Sequence, residues 1–373
     1  MKINIIGDIF GTTGYSSHTR NLANASYKLN SDIKLDVPLP PDWLRLVSDA
    51  ELDMIKKPYR VADVTIGILT PPFGRIVLGD NTKKYIQYVV WEGSNIPKYW
   101  IPYLLDERVN QVWVPSNHTK DAILKTAWDY EKSICKTAIM QFFESKIKIV
   151  PHGVDLSIFK IMEVKRDNKF CFVCNKGWRG TSWDRGGVQY LVRAFSEEFK
   201  KNENVQLFLK LNSSYIHPSQ VIPALNNLNL PQDRAEIKLF FDNIPYNKLP
   251  EIYCQGDVYV CPTRAEAFDL GSIEAMACGL PVITTNYGGQ IEHMTDESAS
   301  FVVYNLEEVK EDIMYEGCKW ATPNIEDLRK RMRYCFNNKE EIKEKGKQAL
   351  AEVKNWTWDI SAQKALSFLK ELT

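Results

Sequence analysis

A doubly wound α/β fold in two parallel-sheet domains is the architecture this sequence predicts. Strand-like apolar runs alternate with helical ones along most of the chain. The length of 373 residues exceeds one ordinary domain and suits two of roughly 150–200 residues each. A polar stretch without periodicity, Lys160-Ile161-Met162-Glu163-Val164-Lys165-Arg166-Asp167-Asn168, separates two sets of strands as a linker would.

In the first set, strands are expected over 3–6, 64–69, 86–91, 112–115 and 147–150. In the second they are expected over 170–174, 205–211, 237–241, 258–262, 282–285 and 301–304. The boundaries follow: a first Rossmann-like domain over 1–160, a second over 161–355, and a last helix over 356–373. No internal repeat or low-complexity tract is visible.

The 47 basic and 47 acidic residues cancel, so no large field argues for nucleic acid. No run of eighteen apolar residues is present, and the apolar start at 1–7 is too short for a signal peptide, so a soluble, cytoplasmic protein is expected. Eight scattered cysteines suit a reducing compartment. Cys171 and Cys174 are closely spaced, but on a strand their odd separation puts the sulfurs on opposite faces, which excludes a shared zinc or redox site.

The segment EAFDLGSIEAMACGLPVITT, residues 266 to 285, carries the most chemistry. The run 257–262 reads as a buried strand and 263–265 as the loop leaving its carboxyl end, so Glu266 sits in a loop. A helix over 270–277 is expected, with Asp269 at its N-cap, Gly279 as its stop and Glu274 about one turn inside. Free amides at Leu270 and Gly271 and a positive dipole end would then face the same crevice as both glutamates, which suits a phosphate beside sugar hydroxyls.

Glu266 and Glu274, with Phe268 and Leu270 between them, resemble the signature of the retaining GT-B glycosyltransferases of family 4: two glutamates separated by seven residues. Ala267 and Asp269 stand where that family more often has glycine. The resemblance implies two Rossmann-like domains facing a central cleft, with the nucleoside diphosphate sugar (UDP- or GDP-linked) on the second and a glycan or glycoconjugate acceptor on the first. It implies that Glu266 holds the donor sugar and steadies charge at its anomeric carbon, that Glu274 binds the ribose, and that substitution runs on the front face with the leaving-group oxygen helping to deprotonate the acceptor. In that family a loop after the first strand of the second domain brings cations to the leaving diphosphate. Arg179 and Arg185 have the spacing, with Lys176 as a competitor for either role.

Other pieces remain two-sided. The glycines at 7, 11 and 14 lack dinucleotide-binding spacing; Gly11 and Gly14 let the backbone approach a donor phosphate or the acceptor, or simply make a strand-to-helix turn. Trp91 could stack on a sugar while Glu92 orients an acceptor hydroxyl, or Trp91 is core and Glu92 a cap. His152-Gly153-Val154-Asp155 resembles the family's domain junction and is taken as structural, Ser116-Asn117-His118-Thr119 as a helix cap, and Gly288-Gly289 as the family's glycine pair near the donor sugar. No Asp-x-Asp occurs in the chain, so the usual scaffold for a catalytic divalent metal is missing and no cofactor beyond the nucleotide sugar is expected. The expected role is polysaccharide or glycoconjugate biosynthesis, with room for peripheral membrane contact. A sugar-nucleotide epimerase and a non-catalytic partner subunit are the rivals.

Overall fold

The computed structural model describes all residues except 12, 38–46, 59–60, 78–81, 131–135, 182, 311 and 373. The first sheet contains β1 (Ile3–Ile6), β2 (Ile33–Asp36), β3 (Ala62–Ile68), β4 (Thr82–Tyr88), β5 (Val109–Val114) and β6 (Ile147–Ile149), in the order β2-β1-β3-β4-β5-β6. The second contains β7 (Phe170–Lys176), β8 (Val205–Leu211), β9 (Glu236–Phe240), β10 (Val258–Cys261), β11 (Val282–Thr285) and β12 (Ala299–Val302), in the order β12-β11-β10-β7-β8-β9. Every pairing in both sheets is parallel. An antiparallel ribbon of β13 (Tyr304–Glu308) and β14 (Lys319–Pro323) completes the strands.

Each expected strand has a counterpart, but β2 and the ribbon were not expected. The strand β2 is four residues at a sheet edge, Ile-Lys-Leu-Asp, with Lys34 paired to Asp36 at 3.0 Å, so its apolar signal is only two residues long. Most of β13 is exposed and shows no buried face to detect. The expected strand over 301–304 begins earlier, at Ala299, and Tyr304 belongs to the ribbon instead.

The chain divides into two compact units: residues 1–153, 312–318 and 356–373, and residues 154–311 and 319–355. The division falls after Gly153 rather than in the polar stretch 160–168. That stretch is part of the second unit, where Arg166 pairs with Asp257 at 2.7 Å and donates to the Gly256 carbonyl at 3.0 Å.

In the first unit the final helix, Trp358–Lys370, is capped by Thr357, whose hydroxyl accepts from the Ile360 amide. Trp358 joins a buried ring cluster with His18, Tyr88 and His152; the two imidazoles stack at 4.3 Å. His152 is therefore structural packing. Gly153 is needed for a reason other than a turn: a Cβ there would lie 2.4 Å from the backbone at Thr357 and Trp358. In the second unit, Phe170, Phe172, Phe195, Phe199 and Phe336 form a continuous ring cluster between β7 and the flanking helices. Both Cys171 and Cys174 are buried in β7 as unpaired thiols.

The two glycine environments predict opposite outcomes. Gly153→Ala must push away a backbone segment and should lose about 2–4 kcal/mol of stability. Gly14 begins the helix Gly14–Leu29 with open space where a Cβ would sit, so Gly14→Ala should be neutral or stabilise by about 0.5–1 kcal/mol. Chemical denaturation of both variants checks the pair.

Candidate active site

In a doubly wound sheet, ligands bind at the carboxyl ends of the strands where the strand order reverses. The second sheet reverses between β7 and β10: the chain runs outward to β8 and β9, then returns to place β10 on the other side of β7. Lys176 ends β7, and Thr263 to Asp269 form the loop after β10. Topology alone therefore brings these two segments together.

Their side chains meet in one ion cluster. Glu266 Oε1 receives Lys176 Nζ at 2.9 Å, Arg185 Nη1 at 2.9 Å and the Thr263 hydroxyl at 3.1 Å. Lys176 Nζ also reaches Asp269 Oδ1 at 2.9 Å, and the other Asp269 oxygen accepts from the Ser272 hydroxyl. Burial alone would push the Lys176 ammonium down, but Asp269 and Glu266 outweigh it and hold the pKa well above the usual value. Asp269 is likewise pushed up by burial, yet Lys176 and Ser272 bring it below the ordinary range.

Asp269 takes the N-cap position of the helix Leu270–Ala277, as expected, but its carboxylate makes no capping bond. Its backbone is left-handed, with φ 66° and ψ 80°, which turns the side chain toward Lys176 and away from the first-turn amides. A left-handed residue followed by helical ones aims successive N–H groups, here at Asp269, Leu270 and Gly271, into one concavity suited to an anion. The helix stops at Gly279, whose φ is +81°.

Glu274 faces inward from this helix and is 5% exposed. Tyr253 donates to its Oε2 at 2.7 Å and Tyr246 to its Oε1 at 3.3 Å, while Asn175 donates to the Tyr253 hydroxyl at 3.0 Å. Burial raises its pKa to about 7, against the opposing pull of the two tyrosines. The glycine pair packs on the backbone of Glu266. Gly289 N–H donates to the Glu266 carbonyl at 2.8 Å, and Gly288, at φ +103°, would set a Cβ 3.0 Å from the same oxygen.

Arg179 and Arg185, paired in sequence by spacing, separate in the structure. Arg185 reaches Glu266, whereas Arg179 is exposed and its amide donates to Asp184 at 2.9 Å. Lys176 occupies the second cationic place. An insertion-like turn between the two arginines, closed by Asp184 bonding the Arg179 and Gly186 amides, makes sequence spacing a poor guide to space. Ser182 of this loop lies outside the described residues.

Arg264, 1% exposed, lies between Trp183, Tyr190 and Trp320 and is bonded to Glu307 at 3.1 Å and Thr322 at 3.0 Å. Its amide donates to the Arg185 carbonyl at 2.8 Å, so it ties the Arg185 loop to the Glu266 loop. Sequence reasoning passed over Arg264, Tyr253, Tyr246 and Ser272, because each acts through another residue; Ser272 alone of the four lies between the two glutamates of the motif.

In the first unit, Gly11 and Gly14 lie in the loop after β1. Asp8 closes that loop by accepting from the Phe10 amide at 2.9 Å, the Gly11 amide at 3.0 Å and the Ser16 hydroxyl. The Gly11 N–H is thereby engaged within the loop, which favours the turn reading of that glycine. Glu92 follows β4 and accepts from the Tyr315 hydroxyl. Trp91 is 3% exposed and stacks on Tyr315 at 4.8 Å, so the face expected for a sugar is already covered by that ring. Ser116 caps its helix by accepting from the Thr119 amide at 3.3 Å, and His118 Nε2 holds the Glu92 carbonyl at 2.8 Å.

Residues 175–315 match the model of the glycosyl transferases group 1 family. The chain is 26% identical over 167 residues to a D-inositol 3-phosphate glycosyltransferase of Segniliparus rotundus, a match covering 42% of this chain and 36% of that protein. It is 28% identical over 172 residues to the capsular polysaccharide biosynthesis glycosyltransferase CapM of Staphylococcus aureus, covering 43% and 42%. These matches thus span well under half of the relatives' own lengths. The structure of Anabaena HepE in complex with UDP and glucose superposes with a TM-score of 0.68 at 13% identity, over the whole of both chains, which shows a shared two-domain fold. Among the described residues, no helix is long and apolar enough to cross a membrane.

The buried Glu274 sets a pH-dependent stability. Its folded pKa, about 7, lies above the ordinary carboxyl value, so the stability it contributes is full below about pH 4.5 and is lost as pH rises through 7. Glu274→Gln should therefore stabilise the unliganded protein at pH 8, by up to roughly 2–3 kcal/mol, and show little gain at pH 4.5. Urea denaturation at the two pH values checks the sign.

Proposed function

We propose, from the match of residues 175–315 to the model of the glycosyl transferases group 1 family, that the chain is a retaining, metal-independent glycosyltransferase moving a sugar from a UDP- or GDP-linked donor to an acceptor hydroxyl of a glycan or glycoconjugate. The observation that carries the proposal is the ion cluster at the switch point. Two carboxylates, two cations and a helix start with an uncapped N-terminus converge there, with a third, buried carboxylate one turn along the same helix.

The diphosphate binds at the amides of Asp269, Leu270 and Gly271, with Lys176 and Arg185 opposing the negative charge that grows as the glycosidic bond breaks. In the unliganded protein both cations rest on Glu266 Oε1. A diphosphate draws on the same two donors and leaves the Glu266 carboxylate to the sugar, where it steadies positive charge at the anomeric carbon. The attacking hydroxyl gives its proton to the departing phosphate oxygen, so no carboxylate has to act as nucleophile. Glu274, held by Tyr253, accepts from the ribose hydroxyls. Fixed cations and amides supply the charge compensation that Asp-x-Asp enzymes obtain from a metal, and the chain has no Asp-x-Asp. Glu92 serves the acceptor side, with Tyr315 fixing its carboxylate.

The division of labour is testable with UDP and GDP. Glu274→Gln should weaken binding of the free nucleotide and of the sugar nucleotide alike, whereas Glu266→Gln should leave free-nucleotide affinity nearly intact while transfer falls steeply. Calorimetric titration of both variants decides it; equal loss of nucleotide binding refutes the assignment. Arg185→Ala should lower kcat by about a hundred- to a thousandfold, measured as UDP release from UDP-glucose. Excess EDTA should leave most turnover in place, and loss restored by a divalent ion would refute the metal-free mechanism.

A further inference from the structure

Asp269 is unusual on three counts. It is a non-glycine residue with a left-handed backbone, a conformation that costs a side-chain-bearing residue energy and persists where the surroundings require it. Its side chain is buried, 2% exposed, beside the amides proposed to take an anion. And its carboxylate is used neither for capping nor for solvation, but for Lys176 and Ser272.

An acid beside a diphosphate site opposes ground-state binding of the anion. With Asp269 present, the cluster holds two cations, Lys176 and Arg185, and two anions, Glu266 and Asp269, and so has no net charge; with a neutral residue at 269 it would carry one positive charge. The same acid fixes Lys176 in place. When a ligand draws Arg185 and Lys176 off Glu266, Asp269 remains the one carboxylate on the Lys176 ammonium. Its effect is therefore unfavourable to holding a diphosphate and favourable to presenting Lys176 to the breaking bond.

We infer that Asp269 is a positioning residue that trades affinity for the nucleoside diphosphate against the fixed placement of Lys176 at the leaving group, so that product release is eased while the bond-breaking step is supported. The inference rests on the nucleotide-sugar reading of this site. Ser272 belongs to the same arrangement, since its hydroxyl fixes the second Asp269 oxygen and so sets the direction of the first toward Lys176.

The test is a split between affinity and turnover. Asp269→Asn keeps a residue type that tolerates the left-handed backbone and removes only the charge. It should bind UDP about three- to tenfold more tightly, by removal of one nearby like charge, while UDP-glucose turnover falls at least about tenfold. Asp269→Gly, which relieves the backbone, should show the same split and serves if the Asn variant folds poorly. Parallel loss of UDP affinity and turnover in both variants would mean that Asp269 merely braces the loop, and unchanged turnover would mean that Lys176 needs no second carboxylate; either overturns the inference. Wild-type protein that binds neither UDP nor GDP overturns the nucleotide-sugar reading and this inference with it. Normal wild-type binding without the split overturns this inference alone.

Discussion

The arrangement of the second unit depends on one constraint: an ammonium, Lys176, brought to the mouth of a buried sheet and out of bulk water. A charge removed from water needs partners, and here two carboxylates supply them from the loop after β10 and the start of the following helix. From that requirement much of the local structure follows. Glu266 is held by the Thr263 hydroxyl on its side chain and by the close-packed backbone of Gly288 and Gly289 on its own backbone. Asp269 must turn its backbone into an unfavourable region to reach Lys176. Arg185 comes to the same oxygen only because its loop is sewn to the Glu266 loop through Arg264. In the proposed function the ion cluster and the donor-binding site are the same atoms, so that a diphosphate exchanges one set of partners for another without leaving a charge uncovered.

Glu274 shows the opposite solution to the same problem. Among the described residues its hydrogen-bond partners are phenolic hydroxyls, from Tyr253 and Tyr246, and burial raises its pKa against their opposing pull. Hydroxyl donors are enough to orient a carboxylate but not enough to keep it charged at all pH values. Two glutamates with seven residues between them therefore have different electrostatic characters, set by β7 and its neighbours rather than by the motif that contains them.

Much of this was legible in the chain. Apolar runs such as Val258–Cys261 and Val282–Thr285 mark fully buried parallel strands, and the Glu266 to Glu274 segment announced its loop and helix through Asp269 and Gly279. What could not be seen were contacts made across sheet order. Lys176 was a competitor to Arg179 because spacing counts residues and not turns, and Asp184 folds those residues into a tight loop. Tyr253 precedes Glu274 by two elements and meets it through helix packing. Tyr315 lies 223 residues from Glu92, and the ribbon that brings it there has too little apolar pattern to announce itself.

The composition of the first unit has a consequence for how the protein is made. Its sheet is complete by Ile149, yet Trp358, which packs against His18 and His152, and residues 312–318, which cover Trp91, come from the far end of the chain. During synthesis the second unit has all its residues first, while the first waits with a face of its core uncovered until the last helix emerges. Contacts between residues more than two hundred positions apart, as these are, close late and slowly. The order of emergence is therefore not the order of completion: the unit whose sheet emerges first is finished after the unit that follows it.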